Sequence, residues 1–198
     1  MFDHSETVTL EDGCVVTVRA RTKDDLDKTM EFYLSMPEEE RELMRVDITD
    51  REVVARRFEE VERGHAARLV AESEGKIVGE AILEHMRYGW LRKTGEIRIL
   101  ITPRYRGLEL AQTLAQEVFL LAARRGLNNL IARVLDGETE MMEILKGLHF
   151  KHDATQKDHA VDMHGDKHDV HLLTFSLSKM WRDIEDEIRR SMPPRSEH

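Results

Sequence analysis

The sequence predicts an α/β fold: a mixed, mostly antiparallel sheet with a central parallel βαβ unit and flanking helices. Three observations carry this. Residues 95–132 read as strand, turn, long helix and strand. Two pairs of strand-like runs meet at Asp12-Gly13 and Glu74-Gly75, both strong hairpin turn signals. Between them lie helical stretches with apolar residues three or four apart.

Taken in order, Val8–Glu11 and Cys14–Arg19 form a hairpin or two short edge strands around Asp12-Gly13. Thr22 or Lys23 opens a helix with Asp24 and Asp25 in its first turn, and Leu26, Met30, Phe32, Tyr33 and Met36 give it an apolar side until Pro37. A short helical stretch follows from Glu38 to Met44. Thr49-Asp50 caps a third helix, with Val53, Val54, Phe58 and Val61 inward and Gly64 ending it. Ala66–Ser73 and Lys76–His85 alternate as two strands, and Met86–Thr94 leads on to the next.

Glu96–Ile101 alternates and then turns continuously apolar, as a strand does when it leaves a half-wet face for a buried one. Pro103 has no N–H to donate and stops the ladder. After Arg104-Tyr105-Arg106-Gly107, Leu110, Ala111, Leu114, Val118, Leu121 and Ala122 mark a helix with one buried stripe, closed by Arg124, Arg125 and Gly126. Asn128–Val134 is a second strand, parallel to the first because such crossovers are right-handed. Asp136-Gly137 turns into a helix over Glu138–Leu148 with Met141, Met142, Leu145 and Leu148 inward. From Phe150, two strands run around His164-Gly165-Asp166-Lys167 and end with His171–Leu177. The division expected is one domain over residues 1–178, then a short amphipathic helix (Lys179–Met192) and a disordered tail from Pro193-Pro194. Trp181, Ile184 and Ile188 supply either a homodimer contact or a stripe docked back on the same domain.

Composition narrows the function. In 198 residues of net charge −9, no apolar run approaches the roughly 20 residues a membrane helix needs, and nucleic acid is disfavoured as a partner. The N-terminus has an acidic start without an apolar core, so the expectation is no secretory signal and a cytoplasmic protein. Cys14 is the sole cysteine, which rules out an intrachain disulfide and a cysteine-based zinc site. His149, His152, His159, His164, His168 and His171 crowd the last strands, but their spacing matches no compact ligand set, and no metal is expected. The turn before the long helix is another matter. A glycine loop feeding a helix from a strand end aims unpaired N–H groups and a positive dipole at one point, which suits a phosphate. Arg104 and Arg106 add a local basic patch there that fits an anionic small molecule.

The order of elements, the run Pro103-Arg104-Tyr105-Arg106-Gly107-Leu108-Glu109-Leu110-Ala111 and the later Glu143-Ile144-Leu145-Lys146-Gly147-Leu148-His149-Phe150 resemble the GNAT superfamily of N-acetyltransferases. The final strand pair is similar to a bacterial branch whose members acetylate protein lysines. The resemblance covers roughly Val15–Leu177 and implies a GNAT-like fold with acetyl-CoA as co-substrate between splayed parallel strands. It places the pyrophosphate on the backbone N–H groups of Arg106, Gly107, Leu108, Glu109, Leu110 and Ala111, and the pantetheine arm along Ile99, Leu100 and Ile101. Glu96 falls where several members place a general base, and an N–H near Leu100 or Ile101 would hold the oxyanion. The pattern is broken at four places: Glu109 for a glycine, Leu145 for a tyrosine, Glu138 for an asparagine and His149 for a glycine. The reading implied is acetyl transfer to a primary amine, of a protein lysine or a small molecule, by direct attack in a ternary complex. The alternative is a non-catalytic acyl-CoA-binding regulatory module.

Overall fold

The computed structural model describes residues 5–62, 64, 66–85, 88–162 and 164–191; Met86, Met192 and the Pro193-Pro194 tail lie outside them. Eight strands form one sheet in the order β1-β2-β3-β4-β5-β6-β8-β7. They are β1 Ser5–Thr9, β2 Val15–Ala20, β3 Ala66–Ser73, β4 Lys76–His85, β5 Thr94–Ile101, β6 Asn129–Leu135, β7 Lys151–Val161 and β8 Lys167–Ser176. Every neighbouring pair is antiparallel except β5–β6. Six helices flank it: α1 Leu26–Leu34, α2 Glu38–Glu42, α3 Arg51–Glu62, α4 Leu108–Arg124, α5 Thr139–Gly147 and α6 Leu177–Ser191. Among the described residues no helix is long and apolar enough to cross a membrane.

The alternation along β5 sorts its side chains between two cores. Ile97, Ile99 and Ile101 pack with the α4 stripe of Leu110, Leu114 and Val118, whereas Leu100 packs with Phe32, Tyr33, Ile48 and Val54 on the α1–α3 side. Glu96 and Arg98 share the parity of Leu100. Beneath that second face lies a polar network in which Glu80 accepts from Tyr33 at 2.5 Å, Arg21 at 3.0 Å and Arg68 at 3.4 Å. Burial pushes the Tyr33 hydroxyl well above its usual pKa, and the neighbouring Glu80 charge adds to the shift.

Several elements differ from the sequence expectation. The first strand ends at Thr9 because Leu10 is buried and begins the turn, with its N–H donating to Cys14 O at 2.8 Å. The first helix opens with a 3-10 turn over Lys23–Asp25, where the Asp25 carboxylate accepts from the Thr22 N–H at 2.7 Å. Of the α6 stripe only Leu177 and Met180 pack on the domain. Trp181, Ile184 and Ile188 stay 38%, 41% and 51% exposed, so docking back on the same domain is ruled out.

His149 explains its own departure from the expected glycine. Phe150 N–H donates to Leu145 O at 2.9 Å and His149 N–H to Lys146 O at 3.0 Å, a Schellman cap that sets His149 at φ +64°. A side chain there costs about 1 kcal/mol over glycine. His149→Gly is therefore expected to raise stability by about 1 kcal/mol in urea denaturation.

Candidate functional site

The sheet opens where the parallel pair parts. β5 and β6 pair only at Thr94/Asn129, Gly95/Leu130 and Glu96/Ile131, although β5 continues to Ile101 and β6 to Leu135. Past Glu96, β5 keeps β4 as its neighbour and presents its other main-chain edge to the gap. A pocket of about 200 Å³ fills that gap, floored by Ile99, Leu100 and Ile101, walled by Gly137–Met141 of the β6–α5 turn and roofed by Leu43 and Met44. An extended chain with amide groups can pair with a free strand edge of this kind.

At the outer end of the slot Gly107 leads into α4. It sits at φ +156°, ψ +155°, a region open to glycine, and a Cβ there would meet nothing within 4 Å. The first intrahelical bond is Ala111 N–H to Gly107 O at 3.5 Å, so the N–H groups of residues 108–110 precede the ladder. A groove lined by Arg106, Gly107, Thr139, Glu140, Glu143 and Ile144 runs past them. Arg106 is spanned by two carboxylates, Glu40 at 2.6 Å and Glu140 at 2.8 Å, and so ties α2 to α5 across the slot. Burial raises the Glu140 pKa, with Arg106 opposing. Glu109 accepts from the Glu11 N–H at 2.8 Å and is committed to the β1–β2 turn. Gly107→Ala is expected to cost about 1–3 kcal/mol of backbone strain and to weaken any anion held by this bend at least tenfold, read by calorimetry.

Glu138 and Leu145 are both spoken for. Glu138 is the N-cap residue of α5, not part of the helix; it bonds Arg98 of β5 and accepts from the Leu135 N–H at 2.9 Å. The Arg98 guanidinium also lies 3.5 Å from Met44 Sδ, so Arg98, Glu138 and Met44 stand between the slot and the opposite face of β5. Leu145 is fully buried core.

On that opposite face Glu96, 17% exposed, is paired with Arg45 and, at 2.5 Å, with Arg133. It borders a cavity of about 80 Å³ with Tyr33, Met44, Ile48, Arg98 and Leu100. The slot and this cavity meet at Leu100 and Met44, which line both. Sequence reasoning missed Arg45, Arg98 and Arg68 here. The parity of Glu96 and Arg98 was a readable signal, whereas Arg45 comes from the α2–α3 loop and gave none.

The carboxy-terminal histidines fall into separate contacts: His152 Nε2 and His171 Nδ1 lie 3.3 Å apart across the β7–β8 pair, and His164 and His168 are held by carboxylates. His168 bridges Asp136 and Asp162, each at 3.0 Å, and His164 reaches Glu42 at 3.0 Å. These carboxylates raise both imidazole pKa values, and His168 draws Asp162 down to about 2. Among the described residues no group of three or more His, Cys, Asp or Glu is arranged to hold a metal ion.

With this geometry in hand, comparison with known proteins is informative. No curated protein sequence matches the chain. Solved structures do. The GNAT domain of S. lividans PAT has 20% identity and a TM-score of 0.72, covering 87% of this chain and 96% of that one. The putative acetyltransferase yncA from Salmonella typhimurium, solved with acetyl-CoA, has 21% identity and a TM-score of 0.68, covering 82% and 94%. The ribosomal-protein-alanine N-acetyltransferase of Brucella melitensis has 23% identity and a TM-score of 0.68, covering 80% and 98%. These share the fold. Residues 26–150, more than half of the chain, match the Acetyltransferase (GNAT) family, and the chain therefore belongs to that family of acyltransferase enzymes.

Proposed function

We propose that this protein transfers acetyl from acetyl-CoA to a primary amine, of a protein lysine or a small molecule, in a ternary complex without a covalent enzyme intermediate. The observation that carries the reading is the parting of β5 from β6 after Glu96, which leaves a strand edge facing a slot that ends at the N-terminus of a helix. The related yncA structure, which contains acetyl-CoA, supports the choice of ligand.

Within residues 106–111 the diphosphate would rest on the N–H groups of 108–110, which precede the helical ladder, where a helix terminus favours an anion without a specific side chain. The pantetheine arm would pair along Ile99, Leu100 and Ile101, bringing the thioester to the junction at Leu100 and Met44. From the opposite face the amine nitrogen attacks the carbonyl carbon. The C–N bond forms, the C–S bond breaks, and an N–H near Leu100 or Ile101 steadies the oxyanion. Amines arrive mostly as ammonium, so one proton must leave before attack; Glu96 takes it directly or through water. Leu145 offers no hydroxyl to the departing sulfur, which leaves as thiolate and takes up, directly or through water, the second proton that the nitrogen sheds as the amide forms.

Thiol release from acetyl-CoA across a panel of amines tests this. Thiol appearing only when an amine is present is the expected result. Tight acetyl-CoA binding with no release from any amine would return the protein to a non-catalytic acyl-CoA-binding module.

A further inference from the structure

The cavity on the Glu96 face is rich in charge. Arg45, Arg57, Arg68 and Arg98 line it with Glu84 and Glu96, and the four arginines pair with Glu96, Glu60, Glu80 and Glu138 in turn. Two of the arginines are incompletely satisfied. The Nε atoms of Arg68 and Arg98 are buried and have no hydrogen-bond partner among the described residues, and these side chains are 5% and 12% exposed. Buried donors of this kind are rare in native interiors, because leaving one unpaired forfeits its hydration without return. Arg68 is the less well paired of the two. It reaches Glu80 at 3.4 Å and Glu84 at 3.9 Å, and Glu80 already serves Arg21 and Tyr33 at shorter range.

The sheet register arranges these charges in two rows. Arg68 of β3 lies opposite Ile82 of β4, which lies opposite Arg98 of β5. Two residues along, Ala66, Glu84 and Glu96 form the neighbouring row. Residues two apart on a strand share a face and are separated by roughly 7 Å. An arginine row thus stands beside a carboxylate row, within a cavity of about 80 Å³.

We propose that the acceptor is a small amine that also carries a carboxylate, an amino acid in the chemical sense. Its carboxylate is bound by Arg68 and Arg98, and its amino group is presented to Glu96 at the thioester junction. This rests on the acetyl-transfer reading and selects within it. The lysine side chain of a protein brings a single positive charge into a cavity already lined by four arginines and offers nothing to the unpaired Nε atoms.

The test compares each of the common amino acids with its methyl ester, alongside a lysine-containing peptide, on the full chain with coenzyme A bound. Binding is read by calorimetry in that state and, separately, transfer by thiol release with acetyl-CoA in place of coenzyme A. The expected result is at least one amino acid that binds ten or more times tighter than its ester, with Arg98→Gln reducing that ratio to within about twofold. Should that variant fold poorly, the acid-to-ester ratio on the unaltered protein decides by itself. An acid that binds selectively but releases no thiol would uphold the carboxylate site and sink the transfer reading. Equal binding of acid and ester, no amino acid binding at millimolar concentration, or transfer confined to the peptide would overturn the proposal, the last while transfer stands.

Discussion

Replacing Glu96 by glutamine is expected to lower the turnover of acetyl transfer by about a hundredfold or more, the range a positioned general base contributes. The substitution keeps the shape of the side chain and one acceptor oxygen, so that a bond to Arg45 or to Arg133 survives but not both, while the proton acceptor is removed. Those two arginines are 42% and 46% exposed, so losing the ion pairs costs under about 1 kcal/mol of stability. Loss of activity is thereby separable from loss of fold. The fall should appear in kcat, with the dissociation constant for acetyl-CoA changed little, since Arg98, Glu138 and Met44 stand between the slot and this carboxylate. Steady-state kinetics beside a melting curve measures both, and unchanged turnover removes Glu96 from the mechanism.

Glu80→Ala is expected to be the most damaging single change to the fold. The carboxylate is 1% exposed and is shared by Arg21, Arg68 and the Tyr33 hydroxyl. Removing it strands two buried guanidinium groups together, and breaking a buried pair in this way costs about 3–5 kcal/mol. For a chain of this size that corresponds to a fall in Tm of roughly 10 °C, readable by circular dichroism. A loss of under about 1 kcal/mol would mean that water reaches the network.

Much of the fold was legible because the relevant signals are local. The bounds of β3 and β4 follow from the apolar runs on either side of Glu74-Gly75, and α4 follows from its stripe between Gly107 and Gly126. The glycine turn ahead of α4 was legible for the same reason. Where two parallel strands part was not. Period-two patterning fixes which side chains share a face, but it does not encode how far β5 and β6 stay paired.

The ion pairs that shape the site were also out of reach. Arg106 with Glu40, Arg98 with Glu138 and Arg45 with Glu96 join residues 40 to 66 positions apart, and a charged residue in a sequence does not name its partner. Glu109 shows the consequence. Beside the bend it looks like a carboxylate set against a diphosphate, but the Glu11 N–H on a distant hairpin holds it. In α6 the amphipathic stripe was plain, whereas its exposure past Met180 followed only from the end of β8.

Isothermal titration calorimetry with acetyl-CoA, at high protein concentration and low salt, tests the central claim most directly. The account expects a one-to-one heat that free coenzyme A competes away and that Gly107→Ala weakens at least tenfold. At a hundred times its dissociation constant the ligand should also stabilise the fold by about 2.7 kcal/mol. No heat and no competition under those conditions would contradict the claim that the bend after Pro103 and the parted strand edge together form a coenzyme site.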